Sequence, residues 1–122
     1  VGLWAITAAV YLSIMGPQGM RDLGETILRK SAYAKKKLSE IPGVRILFQP
    51  STAFQEFVIN FDESGKSVAE INKLLLEQYA IFGGLDLSEH YGLGQSALYC
   101  VTEKTSQEQI DRLCSALKTI LV

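Results

Sequence analysis

The sequence is short of the residues that build catalytic and metal centres. Among its 122 residues it has one histidine, His90, and two cysteines, Cys100 and Cys114. Two thiols make neither a disulfide framework nor a four-ligand zinc site. Cys100 falls in an apolar strand-like run and Cys114 on the apolar side of a helical pattern, so both read as reduced core thiols in a cytoplasmic protein. Asp86, Glu89 and His90 lie close together, but they supply too few convergent ligands, and no metal is expected. There is no GxGxxG, Walker loop, HExxH or GxSxG. A Cys–His nucleophile would have to be assembled from His90 and a buried thiol, so no catalytic residue is expected in this chain.

An excess of charge is missing too. Twelve basic residues face 13 acidic ones, for a net charge of -1. Nucleic acid, which attracts a concentrated basic patch, is therefore not an expected partner. The one basic run, Lys35-Lys36-Lys37, reads as a solvated helix face. No apolar run is long enough for a membrane span of about 20 residues. The longest, Val1 to Met15, has no basic leader and no small-residue cleavage site, so it is not read as a signal peptide either. It reads as a helix that packs on missing parts of a parent protein, or on a second copy through residues 1–15.

What remains is an ordinary globular composition, 48% apolar, enough for one core. The spacing predicts a helix over 3–15, broken at Gly16-Pro17, because proline cannot donate to the preceding turn. Pro17 suits the first turn of a second helix, to about Ser39. Met20, Leu23, Ile27, Ala34, Leu38 and Ile41 form its apolar stripe, with Ser31 as a polar gap. Glu25 and Arg29 are placed to pair across one turn. Strands are expected at 44–48, 53–61 and 97–101; in the second, Phe57, Ile59 and Phe61 share one face, and Phe54, Glu56 and Val58 the other. Ser67 with Glu70, and Thr105 with Glu108, read as capping boxes opening two further helices. Residues 81–95 read as a long shaped loop. The order implies an α+β layer: about three strands with helices mainly on one face.

Three places stand out as candidate sites. Glu56 is a carboxylate between apolar neighbours on one strand face, preceded by Gln55. Gly83-Gly84 permits close backbone approach to a ligand or another chain. Thr102 and Glu103 end the apolar strand, where layered folds commonly carry function. His90 is a weaker candidate, as is Gln55.

Taken in order, several runs resemble one family. These are Trp4 to Leu12 with Gly16-Pro17-Gln18-Gly19-Met20-Arg21, Ile41-Pro42-Gly43-Val44, Gln55-Glu56-Phe57-Val58, Ile81-Phe82-Gly83-Gly84 and Cys100 to Thr105. Together they are similar to the C-terminal portion of the glycine-decarboxylating P-protein family, closest to subunit 1 of its two-chain form. Gln55 stands where the family usually has asparagine. The resemblance implies the small C-terminal domain of the aspartate-aminotransferase-like class of pyridoxal-phosphate enzymes (17–122), preceded by a linking helix from the large domain (1–16). It implies an oxidoreductase of the glycine cleavage system that decarboxylates glycine and passes the aminomethyl group to the lipoyl H-protein. The Schiff-base lysine would lie in the companion subunit 2. No cofactor is expected on this piece, which would be inactive alone, and Glu56, Gly83, Gly84, Thr102 and Glu103 would face the cleft or the partner subunit. From Pro17 onward the order also resembles a ferredoxin-like amino-acid-binding regulatory module lacking its first strand. A pure oligomerisation domain built on the first two helices is a third reading.

Overall fold

A computed structural model describes residues 1–122. Helix α1 (Gly2–Ser39) leads into strands β1 (Arg45–Ile46) and β2 (Glu56–Asn60). Helix α2 (Val68–Tyr79), strands β3 (Leu85–Asp86) and β4 (Ser96–Cys100), and helix α3 (Gln107–Ile120) follow. The strands form one antiparallel sheet in the order β1-β2-β4-β3. The α+β layer is therefore as expected, with four strands instead of three. No helix is long and apolar enough to cross a membrane.

The sheet is two-sided because side chains alternate along each strand. Phe57, Ile59 and Phe61 of the β2 run and Ala97, Tyr99 and Val101 of the β4 run point into the core. There they meet Ala34 and Leu38 of α1, Ile71 and Leu75 of α2, and Ile110, Cys114 and Leu117 of α3. The apolar stripe expected on α1 is thus buried from Ile27 through Ala34 and Leu38, whereas Met20 at its start stays exposed. Cys114 is buried, whereas Cys100 points to the opposite face and is exposed, so only one of the two thiols is a core thiol.

Several boundaries differ from the expected ones, each for a local reason. The Gly16-Pro17 break is a kink inside α1, carried by Gly16 at φ 67°, a conformation that glycine takes without a Cβ penalty. The strand expected at 44–48 stops at Ile46, because Phe48 turns into the left-handed region at φ 60°. Phe54 stays outside β2 and half exposed. The loop expected at 81–95 contains β3, whose two residues are too few to show a period-2 pattern. The capping box on α3 is Ser106 with Gln109, one residue later than expected. Thr105 instead accepts from the Thr102 N–H. Ser67 caps α2 as expected, but the Glu70 carboxylate turns to Lys66, 3.7 Å away. Glu25 and Arg29 do not pair; Lys66–Glu70 is the one ion pair in the chain.

Ser31, the gap in the α1 stripe, is buried between Ile27 and Ala34, and its hydroxyl has no hydrogen-bond partner. A buried hydroxyl without a partner costs free energy that an alanine of the same shape avoids, and alanine is the better helix former. Ser31→Ala is therefore expected to raise stability by roughly 0.5–1 kcal/mol in urea unfolding. A loss of stability would show that the hydroxyl is satisfied in solution.

Candidate functional site

The face of the sheet away from the helices is where the candidate residues gather. Register fixes its composition: Val58 pairs with Leu98 and Leu85 with Leu98, while Leu47 donates its N–H to the Val58 carbonyl at 2.9 Å. Leu47, just past β1, thus forms an apolar row with Val58, Leu98 and Leu85 across the sheet. Leu85 is 65% exposed, and Val58 and Leu98 are only half-buried. An apolar row left in water on a sheet is the mark of a surface that another element covers.

One end of this face carries chemistry. Glu56 lies directly across from Cys100. Burial pushes the Cys100 thiol up, and the facing Glu56 carboxylate pushes it further, so the thiol stays protonated near neutral pH. The Gln55 carbonyl accepts from the Val101 N–H at 2.8 Å, fastening this end of β2 to the strand that runs into Thr102. The Thr102 hydroxyl accepts from the Lys104 N–H, and the Glu103 carbonyl accepts from Lys30 Nζ at 2.5 Å. Lys30 thereby ties the middle of α1 to the turn that follows β4. A cavity of about 150 Å³ bordered by Phe48, Glu56, Val58 and Leu98 opens beside this end.

Gly83 and Gly84 come to the same end through β3, and their smallness is used within the chain. A Cβ on Gly83 would overlap the Asn72 side chain. One on Gly84 would lie 2.5 Å from the Tyr99 ring and 2.7 Å from the Leu98 carbonyl oxygen. Asn72 Nδ2 donates to the Gly84 carbonyl at 2.9 Å, locking the approach. The Tyr99 hydroxyl beneath is enclosed, and burial pushes its pKa up to about 12.

His90 sits apart, exposed in the turn before β4 at the other end of the sheet, in edge contact with Tyr91. That end holds a polar network the sequence did not announce. Asn60 Nδ2 donates to Asp62, to the Leu93 carbonyl and to Ser96 Oγ, and Asp62 accepts from the Gln95 N–H at 2.8 Å. The Gln95 hydrogen bond, then that from Asn60, hold the Asp62 carboxyl below its ordinary range. The signal for this network was the polar residues at 60, 62–64 and 95–96, which periodicity cannot assign.

Comparison with known proteins gives this arrangement a context. No family model matches the chain. Over 119 residues it is 42% identical to the probable glycine dehydrogenase (decarboxylating) subunit 1 of Thermococcus onnurineus, covering 97% of this chain and 25% of that protein. The crystal structure of glycine decarboxylase (P-protein) of the glycine cleavage system, in inhibitor-bound form, superposes with a TM-score of 0.75 at 28% identity. That match covers 92% of this chain and 24% of the other. Nearly the whole chain is thus similar to about one quarter of the glycine-decarboxylating P-protein. The L-threonine-O-3-phosphate decarboxylase of Porphyromonas gingivalis shares the fold, with a TM-score of 0.69 at 22% identity over 96% of this chain and 33% of that one. The chain spans about a quarter of the length of the curated relatives it matches.

The residues present do not compose a pyridoxal-phosphate site. Lys30 is committed to the Glu103 carbonyl and Lys66 to Glu70. Lys35 and Lys36 line an open groove, Lys35 also borders the cavity beside Glu56, and no lysine lines the apolar cavity of about 130 Å³ between Tyr99 and Ile110.

The Gly84 contact makes a sharp forecast. Gly84→Ala is expected to lose about 2 kcal/mol or more in urea unfolding, because backbone and a buried ring must both move. Gly24→Ala, where the added methyl meets nothing within 4 Å, is expected to be neutral or mildly stabilising. Equal effects at the two positions would refute the close packing of β3 on Tyr99.

Proposed function

We propose that this chain is the small-domain part of subunit 1 of a cytoplasmic glycine-decarboxylating P-protein, acting in glycine cleavage together with its companion subunit 2 and the lipoyl H-protein. The observation that carries the reading is the 42% identity over almost the whole chain, joined to a TM-score of 0.75 with the P-protein structure. In this reading residues 17–122 are the small domain and residues 1–16 link it to a large domain. The apolar row Leu47, Val58, Leu98 and Leu85 packs against the rest of the assembly. Glu56, Thr102 and Glu103 face the cleft or the partner subunit, and Gly83 and Gly84 let β3 approach that end closely.

The linking role is supported by the first part of α1. Leu3 and Trp4 are 77% and 78% exposed, and Ile14 is 78% exposed. A helix apolar on all sides belongs in an interior. A large domain offers that interior, and a second copy of this chain is the substitute when the chain is alone.

Pyridoxal phosphate supplies the electron sink for loss of carbon dioxide in such an enzyme. In this reading it is held by the companion subunit. The part played by this chain is to cover the site, keep water from it and move with it as a closing domain.

The reading is tested by glycine–carbon dioxide exchange. Full-length subunit 1 carrying this segment, mixed with the companion subunit, pyridoxal phosphate and lipoyl H-protein, is expected to exchange labelled carbon dioxide into glycine. Subunit lacking the segment is expected to fall to background. Undiminished exchange without the segment, or exchange by the 122-residue chain alone, would overturn the reading.

A further inference from the structure

A second surface, which meets the cavity beside Glu56 at Lys35 and Gln49, has no place in that reading. Between the second half of α1 and β1 runs an open groove of about 520 Å³. Lys35 and Lys36 of α1 and Arg45 of β1 line it, with Val44 and Ile46 as an apolar strip, and no acidic side chain lines it. None of the three cations is in an ion pair. Arg45 does feel the Asp62 carboxylate from across the sheet edge, too far for a pair. Two lysines of the run read as a solvated helix face, Lys35 and Lys36, thus also form one wall of this groove.

The backbone of the opposite wall is unfinished. β1 is an edge strand, paired only with β2. Leu47 hydrogen-bonds to Val58, and Ile46 lies opposite Ile59. In an antiparallel pair such bonds alternate, so the N–H and C=O of Ile46 point away from β2 into the groove. An edge of this kind accepts an added strand, and proteins ordinarily guard it with charge. The guard here has one sign. It repels basic segments and attracts acidic ones.

We propose that this groove binds an extended acidic polypeptide segment of a partner protein, which adds to β1 at Ile46 while its carboxylates meet Lys35, Lys36 and Arg45. Main-chain bonds at Ile46 fix the register, and the three cations select the sequence. A compact anion such as phosphate uses the cations and leaves the strand edge unpaired, which separates the two kinds of ligand by observation. The inference does not depend on the glycine-cleavage reading, because every residue it uses lies in this chain.

The test is a nuclear magnetic resonance titration of the chain with an acetylated eight-residue glutamate peptide, an eight-residue lysine peptide, inorganic phosphate and a short DNA duplex. The glutamate peptide is expected to shift the amides of Lys35, Lys36 and Val44 to Leu47 and to slow hydrogen exchange at Ile46. The triple variant Lys35→Glu, Lys36→Glu, Arg45→Glu changes exposed or half-exposed side chains and is expected to keep the native spectrum while weakening binding about tenfold or more. Shifts scattered over remote lysines such as Lys104 and Lys118, an Ile46 amide that does not slow, or an equal response to phosphate or DNA would overturn the proposal. So would retained affinity in the folded triple variant.

Discussion

The structure hangs on the pairing of β2 with β4. Five residue pairs join these two strands, and next to the Glu56–Cys100 end the Phe57 and Tyr99 rings stack with centroids 6.4 Å apart. Both rings are buried, and both short edge strands depend on this pair, since β1 bonds only to β2 and β3 only to β4. A stacked aromatic pair contributes about 0.5–1.5 kcal/mol beyond its burial. Here it also fixes which face of each strand meets the helices. A slip of one residue would turn Ile59 and Ala97 outward and put Glu56 and Cys100 in the core.

That one constraint makes the domain two-faced. The inner face is closed by three helices around a single core, and it leaves little for a ligand. The outer face keeps the apolar row, Glu56 and the end of β4 free to meet something else. The same strand pair places Gly83-Gly84 against Tyr99 and Asn72, so the close backbone approach that these glycines permit is made within the chain itself.

Much of this was legible in the sequence because burial leaves periodic marks. The 3.6-residue stripe of α1 from Ile27 to Leu38 and the alternation of Phe57, Ile59 and Phe61 predict the core that is observed. The kink at Gly16-Pro17 was legible from proline chemistry. What escaped notice was short or non-periodic. Strand β3 has two residues. The Asn60–Asp62–Ser96 network joins positions 36 residues apart through side chains of no regular spacing. The choice of Ser106 over Thr105 as helix cap turned on a turn at Thr102 that only the folded backbone defines. The candidate site was legible in part: Gln55, Glu56, Gly83, Gly84, Thr102 and Glu103 do converge on one sheet end. His90 does not, because the turn that carries it leaves β3 at the opposite end.

The central claim is that a self-sufficient sheet-and-helix unit carries an apolar leading helix whose partner lies outside the chain. Amide hydrogen exchange on the dilute 122-residue chain, repeated on the full-length subunit, tests it most directly. The account predicts strong, uniform protection of Phe57 to Ile59 and Ala97 to Tyr99 in both samples. It predicts little protection of residues 3–14 in the chain alone and strong protection in the full subunit. Protection of residues 3–14 equal to that of the central strands in the dilute monomeric chain would contradict it.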